Sequence, residues 1–246
     1  LREMARRRVP RMFFDYAESG SFTEQTFAAN EHDLAKVLLR QRVVRSIDDR
    51  TLKTDTLGQT IDMPVVLSPV GSAGMQHPDG EMLAARAAGR HGIPLCLSCM
   101  SICSVEETAS AADGPLWMQI YPFRDDAFIK GLIDRARSVG VGALVITVDV
   151  PLLAQRHKDI RNGMSVPLKL TARNVAQFAA RPRWVVGMMG TRRRSFGNIV
   201  GHAQGVENLR SMADWAGRQF NTRLGWDDIA RLRDYWGGTF VVKGIT

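Results

Sequence analysis

The sequence predicts an α/β protein of the (β/α)8 barrel class, truncated after about the fifth strand, with helices and a β-hairpin ahead of the barrel. Three observations predict this fold. After residue 64, short apolar runs alternate with amphipathic segments, which is typical of parallel strands buried on both faces. No G-x-G-x-x-G turn follows the first run, which argues against the competing architecture, an open five-stranded doubly wound sheet. Polar residues end the apolar runs, where barrel enzymes carry their active sites.

The elements follow in chain order over 246 residues, which we treat as one domain. Helices are expected over residues 1–18 and 24–40, the second because Leu34, Val37 and Leu38 lie near helical spacing. A hairpin is expected over 51–64. The expected strands are 64–70, 94–98, 116–121, 143–148 and 239–243, and the expected helices between and after them are 79–91, 104–112, 125–139 and 226–235.

Residues 150–224 form a long excursion before the last strand, and we expect short helices at 173–181 and 205–220 within it, because an unstructured loop of this length is uncommon in a compact domain. Within it, Pro182–Val200 combines apolar residues with a basic run. This composition fits either an interfacial membrane anchor or a lid over the active site.

The net charge is +8, but the excess is local. Ten Lys or Arg residues and one acid lie between Arg156 and Arg194, and a smaller basic run occupies residues 6–11. This distribution suits an anionic lipid surface or a solvated loop, and we expect no nucleic-acid partner. No apolar run is long enough for a transmembrane helix, so we expect a cytoplasmic protein, with peripheral contact to the inner face of the cell membrane as an option.

The polar residues at the strand ends include an amide, two hydroxyls and an ammonium: Gln119, Ser98, Thr147 and Lys243. Each alone has an ordinary structural explanation. Together with backbone donors after Pro69, they could hydrogen-bond a flat ring with polar edges, and the ammonium would stabilise that ring when it carries a negative charge.

Three cysteines, Cys96, Cys99 and Cys103, have a spacing that can mimic a metal site. We expect no metal, because Cys96 lies within an apolar strand and no fourth ligand is spaced nearby.

The ordered motifs resemble those of the FMN-dependent 2-hydroxy acid dehydrogenase family, which includes glycolate oxidase and L-lactate dehydrogenases. The matching segments run through the whole chain, in order: Phe14-Asp15-Tyr16, Ser19-Gly20, Met63-Pro64, Ser68-Pro69, His77-Pro78-Asp79-Gly80-Glu81, Ser104-Val105-Glu106-Glu107, Gln119-Ile120-Tyr121, Thr147-Val148-Asp149-Val150-Pro151 and Val242-Lys243-Gly244. The resemblance implies a barrel with bound FMN.

The resemblance also assigns the cofactor contacts. It implies that a turn lies against the flavin, that three side chains bond its ring edge, and that an ammonium favours its anionic reduced form. These residues are Pro69, Val70 and Gly71 for the turn, Ser98, Gln119 and Thr147 for the edge, and Lys243 for the ammonium, which we also count as catalytic.

For the substrate, the resemblance implies that Tyr16 and Tyr121 meet its carboxylate and hydroxyl, that Tyr121 is also catalytic, that Arg156 lies near it and that Met100 lies over it. Asp149 would orient the catalytic histidine. In the family this histidine and a substrate-binding arginine come from an S-N-H-G-x-R-like motif on a later strand. Residues 1–246 contain no such motif, so we expect the chain alone to be inactive.

The expected reaction is oxidation of an L-2-hydroxy acid, L-lactate to pyruvate by preference, with electrons passing to FMN and then to a quinone or another acceptor. The full-length protein is expected to be a homo-oligomer. Two alternatives stay open: a soluble oxidase that uses oxygen, and a catalytically inactive basic fragment that binds membrane or nucleic acid.

Overall fold

The computed structural model describes residues 1–150, 154–164, 171–219 and 221–245. The chain begins with α1 (Arg2–Arg8), α2 (Arg11–Ala17) and α3 (Gln25–Leu34), followed by an antiparallel hairpin of β1 (Thr54–Thr56) and β2 (Gln59–Ile61). The remaining elements are α4 (Ala73–Gln76), α5 (Gly80–Arg90), β3 (Leu95–Ser98), α6 (Val105–Ala111), β4 (Leu116–Ile120), α7 (Asp126–Ser138), β5 (Ala143–Thr147), α8 (His157–Arg161), α9 (Ala172–Ala179), α10 (Pro182–Gly190), α11 (Leu209–Arg218), α12 (Trp226–Trp236) and β6 (Thr239–Lys243).

The N-terminal helices differ from their predicted extents. The single helix expected over residues 1–18 is two helices, because Pro10 has no amide hydrogen to continue α1 and instead precedes α2 as its N-cap residue. The helix expected over 24–40 ends at Leu34. Val37 and Leu38 are 70% and 85% exposed, so the apolar spacing that predicted a longer helix is not matched by a packed face, on which helix stability mainly depends.

The centre of the structure is a parallel sheet in the order β3-β4-β5-β6, in which each strand pairs with the next one along the chain. Every residue of β3, β4 and β5 is buried, whereas β6, at the edge, is half-buried along most of its length. The alternating strands and helices and their parallel pairing confirm the α/β prediction.

The first expected strand, residues 64–70, is reduced to one parallel bridge between Leu67 and Leu95. The amide of Leu67 donates to Pro94 O at 3.0 Å, and its carbonyl accepts the amide of Cys96 at 2.9 Å. Pro64 and Pro69 flank this bridge, and neither can donate a ladder hydrogen bond.

The main core lies between the sheet and the helices that follow its strands. Met118, Leu144 and Ile146 of the sheet and Leu132 and Ile133 of α7 are at most 1% exposed and belong to one cluster. This packing fixes the strand ends in place, because a core at crystal-like density tolerates little displacement.

Within the excursion of residues 150–224, several of the described segments pack against the rest of the structure. The short helices expected at 173–181 and 205–220 are present as α9 and α11, and α8 and α10 are additional. On α10, the ring of Trp184 stacks on Phe13 at a centroid distance of 5.4 Å, and its indole N–H donates to Met75 O at 2.9 Å.

The residues after α10 are also anchored. The guanidinium of Arg193 pairs with Asp79 at 3.0 Å and with Glu107 at 2.7 Å. Asn198 is fully buried, accepts the amide of Val105 at 2.8 Å and donates to Ser101 Oγ at 2.9 Å. The residues after α10 are therefore held against α5 and α6, which argues against a free lid over the site. None of the described helices combines the length and apolar character needed to cross a bilayer.

Candidate active site

Three buried side chains form a hydrogen-bonded ladder across the carboxyl ends of β3, β4 and β5. The hydroxyl of Ser98 donates to Gln119 Oε1 at 3.0 Å, and Gln119 Nε2 donates to Thr147 Oγ1 at 2.9 Å. Each of the three residues is 2–3% exposed. The amide of Met100 donates to Ser98 Oγ at 3.1 Å, so the Ser98 hydroxyl hydrogen is free to point at Gln119. In this arrangement the Gln119 amide oxygen faces Ser98 and its nitrogen faces Thr147.

Two hydrogen-bond donors of the ladder are not used within it. Thr147 Oγ1 accepts from Gln119 and retains its own hydroxyl hydrogen, and Gln119 Nε2 has a second N–H. The chemistry of this set suits a planar ring whose edge carries acceptor atoms.

Lys243 lies beside the ladder, because the strand register pairs it with Thr147. Its Nζ lies 3.7 Å from Asp149 Oδ2, and both side chains are nearly half exposed. Gly244 has φ of +98°, and a Cβ there would lie 2.6 Å from Cβ and Cγ of Asp149. Only glycine therefore allows the Asp149 carboxylate to approach the end of β6 this closely.

The turn after the Leu67 bridge and the loop after β3 form one wall of the site. The amide of Ser72 donates to Met100 O at 2.9 Å. A Cβ on Gly71 would lie 3.4 Å from both Met100 Cβ and Tyr16 Oη, so Met100 and Tyr16 each lie close to Gly71. The turn residue Val70 is 51% exposed and leaves an apolar surface on the wall, next to the half-buried Pro69.

Tyr121 follows β4, with its ring centroid 5.9 Å from that of Phe123. Burial raises the pKa of its phenol to about 12, with smaller contributions from Cys99, Tyr16 and Asp149. The phenol is therefore neutral at physiological pH and is suited to donating a hydrogen bond rather than accepting a proton.

Arg156 contacts Tyr16 instead of pointing into open space. Its guanidinium lies over the Tyr16 ring, 4.6 Å from the centroid, and donates to the Tyr16 carbonyl and to Ser19 O and Oγ at 2.9 and 3.1 Å. Its Nε lies 3.1 Å from the Asp159 carboxylate. With these partners, Arg156 is placed to orient Tyr16.

The three cysteines are free and buried. Burial raises the pKa of the Cys96 and Cys99 thiols to about 12, which keeps them protonated. Across the part of the chain that the structure describes, no three His, Cys, Asp or Glu side chains converge in a way that could hold a metal ion.

The structure brings the predicted site residues into one continuous set of neighbours. It runs from Tyr16 through the turn and Met100 to the ladder, and from there to Lys243, Asp149 and Tyr121. Sequence reasoning gave no role to Ser19, which helps to hold Arg156, or to Glu81, although both lie in quoted motifs. The sequence did contain a signal for a role of Glu81, because it is an acidic residue in the first turn of a predicted helix, close to the turn that carries Gly71.

Comparisons with known proteins identify the family of the chain. The family model for FMN-dependent dehydrogenases matches residues 5–246. An L-lactate dehydrogenase of Pseudomonas syringae pv. syringae is 39% identical, and one of Allorhizobium ampelinum is 40% identical; each alignment covers 99% of this chain and 64% of the relative. The monotopic membrane protein (S)-mandelate dehydrogenase has a crystal structure that superimposes with a TM-score of 0.91 at 29% identity, over 99% of this chain and 65% of that one.

The chain thus spans less than two thirds of the length of these relatives. It belongs to the FMN-dependent dehydrogenase family, whose cofactor is FMN.

Proposed function

We propose that the whole protein oxidises an L-2-hydroxy acid, with L-lactate as the preferred substrate and pyruvate as the product. The observation that carries this proposal is the buried ladder of Ser98, Gln119 and Thr147 beside the ammonium of Lys243. The names of the relatives, L-lactate dehydrogenase and (S)-mandelate dehydrogenase, support the substrate class.

The ladder would bind the polar edge of the flavin ring, since it lies at the carboxyl ends of the strands and keeps donors that it does not use itself. Pro69, Val70 and Gly71 would lie against the ring, where the exposed side chain of Val70 offers an apolar surface. When bound, FMN accepts the two electrons that the substrate loses. The Lys243 ammonium would stabilise the negative charge that this transfer creates at the ring.

Tyr16 and Tyr121 would bind the substrate, with the neutral phenol of Tyr121 donating a hydrogen bond. Arg156 would orient Tyr16 through the ring contact and its carbonyl. Met100, on the opposite loop, would limit the size of the substrate side chain.

The proton of the substrate hydroxyl would pass to the histidine that the family resemblance implies on a later strand. Asp149 would accept a hydrogen bond from that histidine and stabilise its protonated form.

In the whole protein, we propose that the Leu67 bridge and β3 to β6 are five consecutive strands of a (β/α)8 barrel, with residues 1–246 as part of this single domain. The half-buried edge strand β6 supports this, because an edge presents unpaired ladder groups to a further strand.

The test is to purify the whole protein and mix it with L-lactate in a stopped-flow instrument. Bleaching of the flavin absorbance by L-lactate, followed by rapid reoxidation with a quinone and slow reoxidation with oxygen, is the expected result. Rapid reoxidation by oxygen would favour the oxidase alternative. A colourless protein that binds no FMN would refute the proposal and leave the inactive basic fragment.

We also propose peripheral contact with the inner face of the cell membrane. The similarity to a monotopic membrane enzyme supports this, as do Val186 and Met189 of α10, which are about 70% exposed near exposed arginines. The whole protein should cosediment with anionic vesicles, and Val186→Ser/Met189→Ser should weaken that binding. Equal recovery in the supernatant for both proteins would refute the contact.

We further propose that the whole protein is a homo-oligomer. Light scattering of the purified whole protein would test this, and the mass of a monomer would refute it.

A further inference from the structure

Glu81, in the first turn of α5, is a buried carboxylate that is 3% exposed. Its Oε1 accepts two backbone amides, that of Gly74 at 2.9 Å and that of Ile102 at 3.0 Å. These amides belong to two segments that are far apart in the sequence. One carboxylate oxygen therefore joins the start of α4 to the loop after β3.

The two joined segments carry the wall of the active site. Gly74 is three residues after Gly71, and Ile102 is two residues after Met100. The Ser72 amide, which donates to Met100 O at 2.9 Å, joins the same segments on the side of the site. Glu81 makes the second connection behind the wall, so the separation of Gly71 from Met100 is fixed at two points.

The space around this connection is narrow. A Cβ on Gly74 would lie 2.6 Å from Ile102 Cβ and 2.8 Å from Glu81 Oε2, so only glycine fits. On the other side, burial and the neighbouring Glu81 carboxylate raise the pKa of the Cys103 thiol. The thiol therefore stays protonated and does not compete as a second anion. The carboxylate has little freedom to move, which a group that fixes two loops requires.

We propose that Glu81 is a positioning residue for the active site, which sets the gap between the flavin-facing turn at Gly71 and the substrate-facing loop at Met100. This inference rests on the proposed function for its catalytic consequence. Glu81 itself touches neither the flavin edge nor the substrate; it acts through the amides of Gly74 and Ile102.

The test compares two substitutions in the FMN-loaded whole protein. Glu81→Met keeps the length of the side chain and removes the acceptor, whereas Glu81→Gln keeps an oxygen that can accept both amides. Loss of hydrogen bonds to a charged acceptor should raise the FMN Kd and the KM for L-lactate in Glu81→Met by about tenfold or more. Glu81→Gln should stay within about threefold of the wild type on both measures.

Two further variants separate positioning from general stability. Gly74→Ala pushes on the same carboxylate and should reproduce the Glu81→Met increase in KM. Leu132→Ala, on the core-facing side of α7, should lower the melting temperature and leave KM and the FMN Kd unchanged. Equal effects in Leu132→Ala and Glu81→Met, an unchanged KM in Glu81→Met, or a Glu81→Gln variant as impaired as Glu81→Met would each overturn the proposal.

Hydrogen exchange distinguishes failure of this inference from failure of the proposed function. Peptides covering residues 70–76 and 99–104 should exchange faster in Glu81→Met, whether or not FMN is bound. If the wild type binds no FMN, the proposed function fails while exchange still reports on the connection. Unchanged exchange in both segments would refute the connection itself.

Discussion

Replacing Gln119 with leucine should lower the free energy of unfolding by about 2 kcal/mol and weaken FMN binding at the same time. The side chain is 2% exposed and makes two hydrogen bonds, to Ser98 at 3.0 Å and to Thr147 at 2.9 Å. Each neutral buried hydrogen bond contributes about 1 kcal/mol net, and leucine of similar volume leaves no large cavity. For a domain of this size the expected decrease in melting temperature is about 4–8 °C.

The assay is a double-mutant cycle with Thr147→Val, measured by urea unfolding at constant m-value. Gln119→Leu, Thr147→Val and the double variant should show a coupling energy of about 1 kcal/mol, since each single change already breaks the shared bond. A core substitution without polar contact, Ile133→Val, combined with Gln119→Leu supplies the additive control. If the Gln119 and Thr147 effects also add to within about 0.3 kcal/mol, the two side chains do not interact and the ladder is wrong.

Three further predictions follow from the same contacts. Gly244→Ala should destabilise the protein by about 1–3 kcal/mol, because residue 244 has a left-handed backbone. The new Cβ would also displace Asp149, so flavin reduction by L-lactate should be slower in stopped-flow measurements. An unchanged rate of reduction would contradict this. The hydrogen-bonded Arg135 guanidinium lowers the pKa of Glu106 to about 2, so this pair stabilises the fold above the unfolded-state pKa near 4.5 and loses its effect as the pH falls towards 2. The urea midpoints of the wild type and Glu106→Gln should therefore differ at pH 7 and converge over that range, and a gap independent of pH would refute the assignment. Asn198→Ala should cost about 1–3 kcal/mol, because it leaves the first amide of α6 buried without its acceptor, and a midpoint within error of the wild type would refute that contact.

The parallel strands were predictable because their signal is local. Leu116–Ile120 and Ala143–Thr147 are apolar throughout, and burial on both faces requires that pattern. Once the strands are parallel and in sequence order, their carboxyl ends must meet at one edge, so the proximity of Ser98, Gln119 and Thr147 follows from composition and topology alone.

Other features depend on contacts that a linear pattern does not encode. Pro182–Val200 has the composition of an anchor or a lid, but Trp184 stacks on Phe13, more than 160 residues earlier in the chain, and Arg193 finds its partners on Asp79 and Glu107. Val37 and Leu38 show the opposite error. Their spacing predicted a buried helical face, but both side chains are exposed. Apolar spacing shows what a segment can bury, and the contacting element decides whether it does.

The Arg156 contact shows the same limit at the site itself. The resemblance implied an arginine near the substrate, and the structure places its guanidinium on the ring and carbonyl of Tyr16. The residue type and its approximate location were readable from the sequence, but its partner was not, because it depends on how α2 packs against the start of α8.

The site combines a buried part with a more exposed part, and the positions of the residues along the strands explain the division. Ser98, Gln119 and Thr147 end their strands inside the sheet and are buried, so the donors proposed to bind the flavin edge have fixed positions. Lys243 ends the edge strand and Asp149 lies two residues beyond Thr147, and both are nearly half exposed. Adjacent strands are about 4.8 Å apart, so the backbone of Lys243 lies one strand spacing from that of Thr147. On the proposed function, the buried side chains would bind the flavin ring, and the more exposed Lys243 and Asp149 would handle charge and the proton.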